Sequence, residues 1–274
     1  MLRQITDIAG LVIAARDAEL GKVRDFHFDD AHWTVRHIEV DTGGWLIGRR
    51  VLVSPHAIES FDWAGHRLHI GLTREQVENS PPVSADQPVS REQEASLYLH
   101  YSYPAYWSGP GPFGAGGLPM APGLAAPPGE PFAQAPASVE AENREAMERA
   151  RGETGSLRSC NEVLGYGVAA TDGDIGHVED FLVDEADWTL RYVLIDTRNW
   201  LPGKRVPIPV QWIRNVSWPD EKIFVDMDRW RIQSSPEYLG SMDRDYEARL
   251  HGHYGREGYW QRGVRGKDVS LRSE

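Results

Sequence analysis

The sequence predicts a mainly β protein made of two small antiparallel barrels, each followed by a short helix and an aromatic tail. The first supporting observation is an internal repeat: Gly21–Arg50 and Gly176–Arg205 share a spaced set of residues at a constant offset of 155 positions. The second is a succession of short apolar runs, separated by turn residues, in both copies. A fixed offset without gaps indicates a tandem duplication, so the same fold is expected twice.

The repeated set is densest at its start. Residues 21–29 read Gly-Lys-Val-Arg-Asp-Phe-His-Phe-Asp, and residues 176–184 read Gly-His-Val-Glu-Asp-Phe-Leu-Val-Asp. In both copies a tryptophan, an Asp-Thr pair, a glycine and an Arg-Val pair follow. The residues that we take as the structural signature of the repeat are Gly21, Asp25, Asp41 and Arg50, with Gly176, Asp180, Asp196 and Arg205 in copy two.

The first two strands of each copy form a predicted hairpin. In copy one, Leu11–Ala15 and about Leu20–Phe28 flank a polar turn, and copy two has Asp172-Gly173 at the turn, which strongly favours a hairpin. The apolar positions of the second strand change parity after Val23, and copy two does the same. We therefore expect a β-bulge near Asp25 and near Asp180.

The later strands indicate how the sheet is covered and where it ends. The third strand of copy two has an apolar second face, Leu190, Tyr192 and Leu194, which a helix, a tail or the other repeat must cover. The fourth strand of copy two contains Pro207 and Pro209, which predicts a position at an edge or beside a gap in the barrel, because proline donates no ladder hydrogen bond. With two further short strands per copy, six strands favour a small, closed antiparallel barrel.

The duplication continues beyond the strands. At an offset of 153, the Glu-Ala, His-Tyr and Tyr-Trp pairs that end copy one recur in copy two, which predicts a helix at about 90–101 and 243–253 and then an aromatic tail. The segment between the copies is rich in proline and glycine and favours a linker with one short helix at about 139–151. The predicted domains are repeat 1 at 1–107, the linker at 108–158, repeat 2 at 159–260 and a basic polar tail at 261–274.

Composition limits the classes of function. The net charge is −12, and both repeats are acidic, which argues against a nucleic-acid partner and against attraction to anionic lipid. Cys160 is the single cysteine, so no intramolecular disulfide can form, as is typical of a reducing compartment. No apolar run approaches the ~20 residues of a membrane span, and the start of the chain lacks signal-peptide features. We expect a soluble cytoplasmic protein without a transmembrane segment.

The repeated Gly-x-Val-x-Asp-Phe-x-x-Asp run, with its tryptophan, Asp-Thr pair, glycine before Lys/Arg-Arg-Val and proline-bearing strand, resembles the PRC-barrel family. The likeness covers about residues 1–78 and 159–232. It implies a six- or seven-stranded barrel used as an assembly module and no shared active site. The family includes the cytoplasmic domain of the photosynthetic reaction centre H subunit and the C-terminal domain of a ribosome-maturation factor. This chain looks most similar to stand-alone bacterial members.

Histidines and acids are the candidate site residues. His27, His32 and His37 recur every five residues, and the first and last could meet across two strands as metal ligands. Copy two replaces them with Leu182, Asp187 and Tyr192, which favours a structural role as turn and surface histidines. The repeated aspartates could perform acid–base work or hold a cation, but turn geometry and ion pairs with Arg36, Arg50 and their counterparts explain them better.

No catalytic, metal-binding or cofactor-binding set emerges from the sequence, so we expect a non-enzymatic protein with no cofactor. Cys160 has no counterpart in copy one, and no nucleophile motif or phosphate-binding loop is present. Tyrosine and tryptophan are enriched at interface hot spots. Either each tail covers its own barrel, or it docks on the other repeat or on a second chain. The candidate interaction surface is Tyr101, Tyr106, Trp107, Tyr192, Leu194, Tyr254, Tyr259 and Trp260.

The sequence therefore favours a tandem assembly or scaffolding module with an unidentified protein partner. Its two barrels are expected to pack as a pseudo-symmetric pair that replaces the homodimer of a single-unit ancestor, and a homodimer of the whole chain stays open. The alternatives are a ligand- or cation-binding protein with a site between the barrels, and an accessory subunit of a membrane electron-transfer complex. The last rests on analogy of fold alone.

Overall fold

The computed structural model describes residues 1–44, 46, 50–83, 89–103, 105–108, 141, 144, 157–197 and 204–261. The predicted linker and its helix lie outside the described residues, except for Ser108, Ala141, Arg144 and residues 157–158. Of the predicted C-terminal tail, only Gln261 is described. In the described part of the chain, no helix is long and apolar enough to span a membrane.

Copy one forms short strands followed by two helices. Its elements are β1 (Leu2–Gln4), α1 (Ile5–Ile8), β2 (Val12–Ala14), β3 (Glu19–Asp29), β4 (Thr34–Asp41), β5 (Val51–Val53), β6 (Ile58–Asp62), β7 (Arg67–Ile70), α2 (Arg74–Glu78) and α3 (Arg91–His100), with single 3₁₀ turns at Pro55–Ala57 and Tyr106–Ser108.

Copy two repeats this order. Its elements are β8 (Leu157–Ser159), α4 (Cys160–Val163), β9 (Gly167–Ala170), β10 (Gly173–Asp184), β11 (Leu190–Asp196), β12 (Arg205–Pro209), β13 (Ile213–Ser217), β14 (Lys222–Val225), α5 (Arg229–Gln233) and α6 (Arg244–Tyr254), with a 3₁₀ turn at Val210–Trp212.

The described strands make two seven-stranded sheets. The strand order is β5-β4-β3-β2-β7-β6 in one and β12-β11-β10-β9-β14-β13 in the other. Neighbouring strands are mostly antiparallel, whereas the β2–β7 and β9–β14 pairs are parallel. The predicted mainly β fold is confirmed. The proline-bearing strand β12 ends its sheet, so the predicted edge position is also confirmed.

The seventh strand of each sheet comes from the other copy. β8, which opens copy two, pairs with β3 of copy one, and β1, which opens copy one, pairs with β10 of copy two. The chain accordingly divides into two compact units. The first unit holds the described residues of 4–163 and 183–190, and the second holds those of 1–3, 164–182 and 191–274. Each unit therefore contains chain segments from both copies.

Equivalent residues of the two copies meet inside the first unit. Thr34 forms an isolated antiparallel bridge with Thr189, its counterpart at the offset of 155. The Val35 amide donates to the Trp188 carbonyl at 2.9 Å, and the Leu190 amide donates to the Trp33 carbonyl at 2.7 Å. These two hydrogen bonds are reciprocal, which is the pattern of an isologous contact between two like copies.

The predicted bulge of copy one is confirmed. The β3–β4 register shifts between Val23 and Asp25. Before the bulge, Gly21 adopts a φ of 144°, and its copy-two counterpart Gly176 adopts 146°, which favours glycine at both positions. The turn role expected for the repeated aspartates is confirmed at Asp29, which forms an Asx turn after β3 because its carboxylate accepts from the Ala31 amide at 2.9 Å.

The long helices occupy the predicted places. α3 begins after Ser90, whose side chain forms a capping box with Gln93, and α6 begins after Asp243, whose carboxylate caps the Tyr246 amide. Gly255 ends α6 in the left-handed conformation. The sequence analysis missed α2 and α5, because five residues are too few to show a helical period.

Candidate functional site

In the first unit, α3 packs on β4 through a buried polar network, which we call the helix cluster. Glu94, on α3, is fully buried. The Tyr106 hydroxyl donates to Glu94 Oε2 at 2.7 Å, Arg91 Nη1 lies 3.1 Å from Oε1, and His37 Nε2 lies 3.8 Å from Oε2. The carboxylate therefore joins the strand, the helix and the tail.

A second buried charge lies beneath the tail of copy one. Arg36 is 1% exposed, its Nη2 donates to Asp29 Oδ2 at 2.9 Å, and its guanidinium lies 3.7 Å from the centre of the Tyr106 ring. The predicted ion pairing of Arg36 with a repeated aspartate is confirmed. The cation–π contact attaches the aromatic tail directly to the strand that it covers.

The second unit contains the same network. The Tyr192 hydroxyl donates to Glu247 Oε1 at 2.8 Å and lies 3.2 Å from His251 Nε2, while Arg244 Nη1 lies 2.8 Å from Glu247 Oε2. Arg191 lies 4.2 Å from the centre of the Tyr259 ring. The apolar face of β11 is thus covered at Tyr192 by α6 of the same copy.

Both networks contain a histidine next to a tyrosine, but the strand and helix positions that carry them are reversed between the copies. In copy one the strand carries His37 and the helix carries Tyr98, with ring centres 5.8 Å apart at 82°. In copy two the strand carries Tyr192 and the helix carries His251, 6.3 Å apart at 77°. Each copy therefore has one edge-to-face His–Tyr pair at equivalent positions, with the two residue types in opposite places. The pairing connects residues far apart in sequence, so the sequence analysis missed it.

The aromatic tails lie on their own sheets. Of the eight residues of the predicted interaction surface, Tyr101, Tyr106, Tyr192, Leu194 and Tyr254 are buried, whereas Trp107, Tyr259 and Trp260 are half-buried. The first alternative from the sequence, in which each tail covers its own barrel, describes the structure. The five buried side chains pack inside their own unit, so of the predicted surface only the three half-buried side chains can contact a partner.

Two exposed apolar residues were missed by the sequence analysis. Trp230 is 70% exposed and Leu239 is 80% exposed.

Two histidines near the helix cluster are kept neutral by their surroundings. Burial lowers the pKa of His56 to about 4, and the charges of Arg36 and His37 act in the same direction. Burial also lowers the pKa of His37, against the opposing effect of Glu94. The His56 ring stacks on Tyr103 at 5.2 Å, and its Nδ1 lies 3.0 Å from the Ser54 hydroxyl.

We expect stability to fall as the pH drops from 6.5, the usual pKa of His56, to about 4. In this range the unfolded imidazole binds a proton that the folded one excludes, so protonation favours unfolding. Because His56 keeps some solvent contact, we expect a loss of about 2 kcal/mol rather than the full value of the shift. Urea denaturation at several pH values measures this loss. His56→Gln should make the profile shallower, with the remaining slope due to His37, and the exposed control His66→Asn should not change it; equal profiles for all three proteins would contradict the assignment.

The three predicted histidines do not form one site. His27 and His37 are cross-strand partners, but His27 Nε2 pairs with Glu39 at 2.9 Å and His37 faces Glu94. His32 pairs with Asp29 at 2.8 Å in the turn, as a structural histidine should. The surface placement was wrong for His27 and His37, which are 6% and 1% exposed, because exchanged strand β8 and helix α3 cover the sheet there.

A different group gathers at the bulge: Asp25, His27 and Glu39, which we call the bulge cluster. Each offers one ligand atom, and these atoms lie within 4.8 Å of one another. Asp25 also holds the exchanged segment, since Oδ2 accepts from Ser159 Oγ at 2.5 Å and Oδ1 accepts from the Asn161 amide at 3.1 Å. Burial by itself would raise the pKa of Glu39, but the hydrogen bond to His27 and the charges of His27, Arg50 and Arg24 together outweigh burial and lower that pKa.

The remaining signature residues have structural partners. Asp180 accepts from the Phe181 amide at 2.7 Å, as Asp25 does from Phe26, and Asp41 accepts from the Gly43 amide at 3.0 Å. Asp196 is buried with His177 Nε2 at 3.9 Å. The signature arginines lie close to glutamates: Arg50 Nε lies 3.3 Å from Glu39 Oε2, and Arg205 Nη1 lies 3.9 Å from Glu179 Oε1.

The comparison with family models agrees with the duplicated sheet. The model described as PRC-barrel domain matches twice, at residues 3–75 and 157–229. The chain belongs to the PRC-barrel family. Each PRC-barrel match begins at the exchanged lead-in strand and ends at the short helix α2 or α5, so the long helix and the tail of each copy lie beyond it. No curated protein matches the sequence.

Proposed function

We propose that this tandem PRC-barrel protein is a non-enzymatic, cytoplasmic assembly module whose two copies form a pseudo-symmetric pair and present it to a protein partner. The observation that carries the proposal is the exchange of lead-in strands, β1 into the sheet of copy two and β8 into the sheet of copy one. Reciprocal exchange of like segments is a known route from monomers to dimers. A tandem chain with this exchange forms within one molecule the strand pairing that two single-copy chains would form as a dimer.

The reciprocal hydrogen bonds at Thr34 and Thr189 support the same proposal. They join like residues of the two copies, as an isologous contact does. The ionisable groups of the helix cluster also favour a structural role, because Glu94 and Glu247 are buried and hydrogen-bonded to tyrosines of their own unit. Such groups position a helix and do not face a substrate.

Cutting the chain between residues 120 and 135 tests the pairing. With a protease site inserted there, we expect the two halves to elute together from a sizing column at micromolar concentration, because each half supplies a strand to the other's sheet. The same cut sample run in urea should separate, which verifies that cleavage was complete. Separate elution of the halves under native conditions would remove the basis of the proposal.

A further inference from the structure

We propose that the bulge cluster of Asp25, His27 and Glu39 is a binding site for a divalent transition-metal ion. The three side chains are 8%, 6% and 8% exposed, and their ligand atoms lie within 4.8 Å of one another. A small rotation of the side chains brings donors at this spacing to the separation of roughly 4 Å or less that one shared ion with bonds of about 2 Å requires. The site lies within the first unit and does not depend on the assembly function.

The β3–β4 pairing brings the three residues together. Asp25 and Glu39 are direct cross-strand partners after the register shift at Val23. His27 follows Asp25 by two positions on β3, so both side chains lie on one face. Its Nε2 lies 2.9 Å from Glu39 Oε2, which is a distance within reach of a shared ion. The site therefore rests on two paired strands rather than on a loop.

Copy two shows that the fold does not need the polar side chains of His27 and Glu39. The counterparts of Asp25, His27 and Glu39 are Asp180, Leu182 and Leu194, and both leucines are 0% exposed in the same kind of sheet. The aspartate is common to both copies, and in each it accepts a hydrogen bond from the amide of the phenylalanine that follows it. Burying a histidine and a glutamate where leucines pack equally well carries a desolvation penalty that a ligand would offset.

The donor set indicates the class of ion. One imidazole nitrogen with two carboxylate oxygens suits zinc and its neighbours in the first transition row better than magnesium or calcium, which prefer oxygen alone. Arg50 Nε and Arg24 Nε lie 3.3 and 3.7 Å from Glu39 oxygens. These cations oppose a bound metal, so we expect moderate affinity that rises when the charge of Arg50 is removed.

Titration of the untagged full chain with Zn²⁺ and with Co²⁺ tests the site. We expect about one equivalent to bind, a rise in melting temperature, and a Co²⁺ absorption band from coordinated nitrogen and oxygen. Arg50→Gln should tighten binding by about tenfold, the effect of one nearby charge. A merely structural ion pair would show no binding and no gain in the Arg50→Gln variant.

Two variants locate the ion. His27→Leu combined with Glu39→Leu installs the copy-two residues and should fold while losing the bound equivalent. His27→Gln can keep a hydrogen bond to Glu39 but lacks the imidazole, so it should also lose the Co²⁺ band even if the double variant fails to fold. His66→Asn with His69→Asn is the control and should bind as the wild type does. No binding by the wild type, or an unchanged band in His27→Gln, would overturn the proposal.

Discussion

Gly21→Ala and Gly176→Ala are each expected to destabilise the protein by at least about 3 kcal/mol. A Cβ at Gly21 would lie 2.0 Å from the Asp41 carbonyl oxygen, and one at Gly176 would lie 2.0 Å from that of Asp196. Their φ values of 144° and 146° are also rarely adopted by other residues. The neighbouring strand must move to admit either methyl group. Urea denaturation followed by circular dichroism measures the loss.

Gly252→Ala is the matched control for these substitutions. Gly252 lies in the last turn of α6, and a Cβ there would meet nothing within 4 Å. Because alanine favours a helix over glycine, we expect Gly252→Ala to be neutral or to stabilise by about 0.5 kcal/mol. If Gly21→Ala unfolds at the same urea concentration as Gly252→Ala, the close approach of β3 to the Asp41 carbonyl is wrong.

Glu94→Ala is expected to cost about 3 kcal/mol, because it removes the central acceptor of the helix cluster. The buried Tyr106 hydroxyl loses its acceptor, and the half-buried Arg91 guanidinium loses the nearby negative charge that raises its pKa. α3 and the tail should then detach before the sheet unfolds. Limited proteolysis beyond residue 90, together with urea denaturation, measures both effects.

Glu92→Ala provides the control for Glu94→Ala in the same helix turn. Glu92 is exposed, so its truncation should change stability by no more than about 0.5 kcal/mol. Glu247→Ala should reproduce the effect in copy two, since Glu247 accepts from Tyr192 and pairs with Arg244. Equal stability of the Glu94 and Glu92 variants would mean that the buried carboxylate does not hold the helix.

Much of the fold was predictable because its signals are local. Alternation with a period of two placed most of the strands, Pro207 and Pro209 placed an edge, and the parity change after Val23 placed a bulge. The Glu-Ala and His-Tyr pairs that recur at an offset of 153 placed α3 and α6. The duplication strengthened each of these predictions, since every signal could be checked against its counterpart. For the helix cluster, the sequence showed only that the aromatic residues of the tail are repeated, and it did not show which charged side chains they contact.

The sequence by itself determined two PRC-barrel copies, the order of their main strands and long helices, and the acidic character of both. Only the tertiary structure decided which sheet receives each lead-in strand, because Leu2–Gln4 and Leu157–Ser159 are equivalent and either sheet offers the same edge. It also decided which polar residues meet. Asp25, His27 and Glu39 converge through a cross-strand register that shifts by one residue at the bulge, and a shift of one residue reverses which side chains share a face. The parity change after Val23 marks the bulge itself, but the pairing of the two strands, and not the local pattern, decides that Glu39 lies opposite Asp25.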